Sequence, residues 1–347
     1  MRILVLRFSA FGDVAMTVPV VASVAAAWPD VEFVVAGRPF VKPLFDRLAP
    51  NVRFEAVDLG QYKGLTGLLR LGWTLLKKYG FDAVADLHDV LRTKVLRTFF
   101  HLCGVKVAHI DKGRPEKRAL TRSRHKEVRQ LPTSFDRYFS VFARLGLTAE
   151  PCFHGLFREG RGDASLFSEA AGEPDGLTWI GLAPFAAHQG KVLPEQTVEA
   201  LLRELASHAD WRVMVFGGGE RERRLAEGWA ERFPNVSSMV GRLKLPAELS
   251  LMSHLRVMVS MDSANMHLAS LVDTPVVSVW GATHPYAGFM GWNQREELAV
   301  QTALPCRPCS IFGNKPCLRG DYACLHSITA RQIVEKIEAA LTAKRWK

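Results

Sequence analysis

Short, unbroken apolar runs recur along this chain, and each is followed by a turn cluster or a helical pattern. They read ILVL (3–6), EFVVAG (32–37), DAVADL (82–87) and VKVAHI (105–110), then WIGLAPF (179–185), WRVMVFGG (211–218), RVMVSM (256–261) and PVVSVWG (275–281). A strand that is apolar at every position is buried on both faces, which suits a parallel sheet covered by helices. Helical stretches lie between them, for example VPVVASVAAAW (18–28), QTVEALLRELASHA (196–209) and ERRLAEGWAERF (222–233). Strand and helix alternate in two sets. Between the sets, residues 149–178 are loose and hold Pro151, Gly155, Gly160, Gly162, Gly172, Pro174 and Gly176. A chain of 347 residues exceeds the size at which one core keeps growing. The expectation is therefore α/β: two Rossmann-like, doubly wound domains, 1–160 and 161–328, facing a central cleft.

The remaining bulk features narrow the function. Hydrophobic residues make up 48% and charged ones 23%, as in a soluble globular protein, and no run reaches the roughly 18 apolar residues of a membrane span. MRILVLRFSAFGD reads as a strand and loop, not a secretory signal, so a cytoplasmic protein is expected. The net charge of +10 points to an anionic partner. Residues 112–129, KGRPEKRALTRSRHKEVR, hold eight Lys/Arg against two Glu, either as a solvated mobile loop or as an anion-binding surface.

Ligands of open α/β sheets bind beyond the carboxyl ends of the strands, so the junctions there carry the chemistry. After the first strand comes RFSAFGDVAMTVPVV, where Gly12 permits a turn and Asp13 is either a helix cap or a carboxylate facing the cleft. Neither G-x-G-x-x-G after this strand nor a G-x-x-x-x-G-K-[ST] loop is present. After the first strand of the second set comes LAPFAAHQGKVLPEQ, where Lys191 can neutralise a phosphate or simply be solvated. GGGERE (217–222) lets a ligand approach the backbone, with Glu220 or Glu222 near its hydroxyls. MDSANMHLASLVDTPVVSVWG (261–281) starts a helix at Asp262, Ser263 and Ala264, with His267 near the first turn. This is an anion site at a helix N-terminus, or a capped helix with a packed histidine.

Together these junctions resemble the ADP-heptose:lipopolysaccharide heptosyltransferases of glycosyltransferase family nine. RFSAFGDVAMTVPVV is similar to the family's R-x-S-x-x-G-D-x-x-x-x-x-P opening. MDSANMHLASLVDTPVVSVWGATHP is similar to its D-[ST]-G-x-x-H-L-A-x-x-x-x-T-P-V-V-x-x-[FW]-G-x-T-x-P block, and GKVLPEQ to its Lys followed by Trp-Pro-x-Glu. The resemblance implies a GT-B fold whose C-terminal helix, within 329–347, crosses back to the first domain. It implies Asp13 as catalytic base. Lys191, Asp262, Ser263, Ala264 and His267 would hold the donor diphosphate, Glu220 (or Glu222) the ribose, and the segment around Gly241 the adenine. Ala264 stands for the usual Gly, Asn265 for Pro and Leu193 for Trp, which leaves the donor sugar open. No D-x-D triplet occurs, so no metal clamp or other cofactor is expected. The basic segment gains a partner in the phosphates and acidic sugars of a lipid-linked acceptor at the inner membrane face, with Arg118, Arg122 and Arg124 as its contacts.

Cys306, Cys309, Cys317 and Cys324 are spaced C-x2-C-x7-C-x6-C: a structural zinc site, disulfides, or reduced thiols packed in a loop-rich cap. Cys103 and Cys152 read as small buried residues. The rivals to a heptosyltransferase are another sugar-nucleotide enzyme of this fold and a basic nucleic-acid binder. The second is disfavoured because the charge is concentrated in one segment and no nucleic-acid module signature occurs.

Overall fold

The computed structural model describes residues 1–46, 48–158 and 160–342. They form two compact units: 1–112 with 133–156, and 113–132 with 157–342. In the first unit, strands β1 (Arg2–Leu6), β2 (Glu32–Gly37), β3 (Val52–Ala56), β4 (Ala83–Asp86) and β5 (Lys106–His109) form a wholly parallel sheet, ordered β3-β2-β1-β4-β5. Ile3, Leu4, Val5 and Leu6 of the central strand are fully buried. The unit's helices are α1 (Phe11–Ala15), α2 (Thr17–Ala27), α3 (Gly64–Tyr79), α4 (Leu91–Leu102) and α6 (Ser134–Arg144), with α5 (Arg114–Thr121) intervening in the chain but packed in the second unit. Leu71 and Leu75 of α3 and Leu96 and Phe100 of α4 pack under Leu4, Leu6 and Val84. Burying such aliphatic and aromatic side chains contributes about 1.5–3 kcal/mol each.

The second unit repeats the plan with β6 (Thr178–Ala183), β7 (Trp211–Val215), β8 (Val236–Ser238), β9 (Val257–Met261), β10 (Val276–Trp280) and β11 (Ala299–Gln301). Its parallel order is β11-β10-β9-β6-β7-β8. Around it stand α7 (Ser168–Ala171), α8 (Glu195–Ala206), α9 (Glu220–Arg232), α10 (Leu245–His254), α11 (Ala264–Leu271), α12 (Ala323–His326) and α13 (Ala330–Thr342). A capping box opens the last helix: Thr329 N donates to Gln332 Oε1 at 2.9 Å and Gln332 N to Thr329 Oγ1 at 3.3 Å. Ile333, Val334 and Ile337 of α13 lie in the second unit's own core against α8, β9 and β10. Residues 343–347 of that expected helix lie outside the described residues. Among the described residues, no helix is long and apolar enough to cross a membrane.

The boundary expected near 160 falls at 156/157, and one correction accompanies it. The basic segment, expected in the first domain, folds with the second unit and is helical over Arg114–Thr121. Lys126 Nζ donates to the carbonyls of Cys306 (2.6 Å) and Pro308 (2.9 Å), and Leu131 N to Tyr286 O at 3.0 Å. Leu120 and Leu131 pack on Ala287 beside Phe289 and Ile311. These apolar anchors and backbone bonds, hidden in sequence by the surrounding charge, give the segment its place.

Candidate active site

Both sheets reverse their strand order beside their first strand, and the residues singled out in sequence follow the strands flanking those points. In the first unit these are β1 and β4. Gly12 and Asp13 lie inside α1, so Gly12 serves as a helical residue and not as the expected turn. The Asp13 carboxylate is held by Arg7, Nη2 to Oδ2 at 2.5 Å. Ala10 N approaches the same oxygen at 3.4 Å, a poor cap bond, so capping is a minor role for Asp13. Arg7 is buried, donates Nη1 to Leu87 O at 2.6 Å, and lies 5.9 Å from the Tyr138 ring. Burial pushes the Tyr138 phenol well above its ordinary range. Asp13 keeps 31% of its side chain exposed, and both described contacts fall on Oδ2.

Sequence reasoning missed two groups here, Arg7 and His88. His88 follows β4; its N–H donates to Asp86 Oδ1 at 2.9 Å, and its Nε2 lies 3.3 Å from Ser9 Oγ. Burial, then the charges of Arg7 and Lys112, lower its pKa to about 3, so the ring is neutral at physiological pH. The signal for Arg7 was its position one residue past β1, six before Asp13. His88 offered only a polar residue after DAVADL.

In the second unit the reversal lies between β6 and β9. The Lys191 loop follows β6 and Asp262 follows β9; Lys191 Nζ sits 2.9 Å from Asp262 Oδ2, with side chains 14% and 5% exposed. The loop is clamped by Ala282 N donating to Gly190 O (2.8 Å) and Gly190 N to Gly313 O (3.3 Å). Gly313 has φ +71°, and a Cβ there would stand 2.6 Å from Lys191 Cγ, so the lysine stem lies flat on a glycine. Ser263 is the N-cap residue of α11 by position, but its side chain makes no cap bond and its hydroxyl lies 3.3 Å from Ser260 Oγ. The first N–H groups of α11 therefore lack a side-chain cap beside a lysine–aspartate clasp, with Ser263, Ala264 and Asn265 only half-buried. His267 is buried in the body of α11, as a packed histidine would be.

The two glutamate rivals separate. Glu222 Oε2 accepts from Gly218 N at 2.8 Å and lines a cavity of about 310 Å³ with Phe185, Leu193, Arg221 and Trp229. Phe185 stacks on Trp229, 5.7 Å apart and 8° from parallel. Glu220 is ion-paired along α9 to Arg223 (2.8 Å) and Arg224 (3.5 Å). Gly241, φ +72°, lies near Arg223, not on the cavity wall. Leu193 is one of the residues that line the cavity.

The other expectations fare unevenly. Arg118, Arg122 and Arg124 are exposed, but Arg122 is already ion-paired to Glu127 at 2.7 Å. The four clustered cysteines are free thiols lining one small cavity with Arg319 and Tyr322. Among the described residues no group of three or more His, Cys, Asp or Glu side chains is arranged to hold a metal ion. Burial raises the pKa of Cys324 to about 11 and also raises that of Cys309, which keeps both protonated. Cys103 and Cys152 are exposed, not buried: both lie outside the apolar faces, at the end of α4 and in the linker.

Comparison with known proteins converges on one family. Residues 69–315 match glycosyltransferase family 9 (heptosyltransferase). Lipopolysaccharide heptosyltransferase 1 of Pseudomonas aeruginosa is 27% identical over 327 residues, 89% of this chain and 86% of that protein. Among solved structures, a family 9 glycosyl transferase from Veillonella parvula superposes with TM-score 0.75 at 19% identity, covering 98% of this chain and 97% of that one. The E. coli ADP-heptose lps heptosyltransferase II gives TM-score 0.72 at 19% identity, covering 98% of each. The fold, two parallel doubly wound sheets of the GT-B type, is shared with these structures. The chain belongs to glycosyltransferase family 9, the heptosyltransferases, and is a glycosyltransferase.

Proposed function

We propose that the protein transfers heptose from ADP-heptose to the inner core of lipopolysaccharide, with inversion and without a metal ion. The observation that carries this is the Lys191–Asp262 clasp beside the uncapped start of α11, a ready anion site at a strand-order reversal. The names of the relatives supply the sugar, the nucleotide and the acceptor class. The acceptor hydroxyl oxygen bonds to C1 of the sugar as the bond from C1 to the diphosphate breaks, and the hydroxyl proton passes to Asp13 Oδ1. One displacement inverts the anomeric centre. Lys191 and the N–H groups at Ser263 and Ala264 take the charge that develops on the departing ADP, the task a metal performs elsewhere. Asp262 positions the ammonium, and Glu222 on the cavity wall replaces Glu220 as the ribose contact. Arg118 and Arg124 meet acceptor phosphates, Arg122 after release from Glu127. The enzyme works in the cytoplasm, at the inner face of the inner membrane.

A different nucleotide sugar is the second reading, favoured by the Ala264 methyl and by Leu193. Turnover of a donor panel separates them: ADP release with ADP-heptose and a Kdo-lipid acceptor, and none with UDP- or GDP-sugars, is expected. Asp13→Asn should lower kcat about 10³-fold while donor Kd stays within about twofold. Retained turnover would move the base elsewhere.

A further inference from the structure

Helix α3 carries more apolar surface than its core contact uses. Leu68, Leu71, Gly72 and Leu75 are buried. Leu65 (61% exposed), Leu69 (39%) and Trp73 (60%) form a second stripe on the outer side. Their spacing of four residues drifts by only about 40° per step, so the three share one face. Gly72 lies under Phe99 of α4, where a Cβ would meet its ring at 2.6 Å, and Phe99 meets the Trp73 indole edge-on at 6.4 Å. The indole is thus backed by a packed ring. The same helix holds Arg70, Lys77 and Lys78 and no Asp or Glu, with Lys63 just before it; Lys78 is neutralised by Glu55 at 2.8 Å, while Arg70 and Lys77 lie along one side of the stripe, Arg70 donating to the Gln61 carbonyl at 2.6 Å and lying over the Tyr62 ring. A tryptophan and leucines beside unopposed cations match the boundary of an anionic bilayer, where the indole and acyl-facing leucines sink and the cations stay with lipid phosphates.

We propose that the outer face of α3 docks the enzyme on an anionic phospholipid surface. The proposal rests on the lipid-linked acceptor put forward above, but its test does not use the reaction. Full-length protein is sedimented with vesicles of phosphatidylcholine alone or with one-quarter phosphatidylglycerol. Binding is expected only to the second, weakening as salt rises. Leu65→Ser/Leu69→Ser/Trp73→Ser, at exposed sites that leave the core intact, should reduce it at least tenfold, and Arg70→Glu/Lys77→Glu likewise. With a water-soluble, acyl-free acceptor the serine variant should turn over as wild type. With acceptor embedded in vesicles, it should fall about tenfold. Wild type that ignores anionic vesicles overturns the proposal. So does a serine variant that binds like wild type, or a wild-type dimer that this variant abolishes, since a second copy would then cover the face. Loss on reversing Arg118, Arg122 and Arg124 with α3 changes silent would also overturn it. Vesicle binding without ADP release would instead sink the assigned reaction and leave the docking face standing.

Discussion

Removing one member of the Lys191–Asp262 clasp tests whether the pair is a built feature. Both side chains are mostly shielded, at 14% and 5% exposure, and Nζ and Oδ2 stand 2.9 Å apart. Lys191→Met keeps the stem that lies on Gly313 but leaves a carboxylate with a buried oxygen and no counter-charge. Breaking a buried pair from one side costs about 3–5 kcal/mol, and partial exposure of the lysine places the expected loss near the lower end. For a unit of this size, about 3 kcal/mol lowers Tm by roughly 6–12 °C. Lys191→Met/Asp262→Asn removes both charges and should recover at least half of that loss. Urea unfolding followed by tryptophan fluorescence, with all four members of the double-mutant cycle, gives the coupling. If each single change costs under about 1 kcal/mol, or the two losses add, the clasp is an ordinary surface ion pair. The same Lys191→Met protein should bind ADP at least about tenfold more weakly, because a charge-assisted contact is worth about 1.5–3 kcal/mol.

Two pH-linked outcomes follow from His88, which is buried, and Glu248, which is half-buried. His88 titrates at about 3 when folded and at the ordinary 6.5 when unfolded, so below 6.5 the unfolded chain takes up a proton that the folded one refuses. Its stability contribution is full above 6.5 and is lost as pH falls toward 3. The urea midpoint of wild type should therefore drop more between pH 7.5 and 5 than that of His88→Gln, and parallel curves would refute the burial argument. Glu248 runs the other way: burial raises its pKa to about 7 from 4.5. Its contribution is present below 4.5 and is lost as pH rises through 7, so Glu248→Gln should stabilise by about 1–3 kcal/mol at pH 8 and by little at pH 4.5. Equal effects at both pH values would remove it.

The central strands were legible because a short run that is apolar at every position, closed by a turn cluster, suits a strand covered on both faces. The peripheral ones were not: VRFEA of β3 is half exposed, and VSS of β8 and AVQ of β11 are too short to carry a period. The basic segment was visible as charge, yet its fold depends on Leu120, Leu131 and two carbonyls that Lys126 finds near residue 307. Local pattern cannot announce a partner so distant in the chain. The same limit governs the candidate site. Asp13, Lys191 and Asp262 each stood out at a strand end, but only one at a time. Lys191 and Asp262 are 71 positions apart and meet because β9 inserts beside β6, a consequence of strand order and not of either neighbourhood. Arg7 reaches Asp13 because a single turn of helix follows β1 at once, and His88 joins them because β4 lies alongside. Strand ends are therefore readable from composition, whereas the pairs that give those ends their chemistry are fixed by which strands become neighbours.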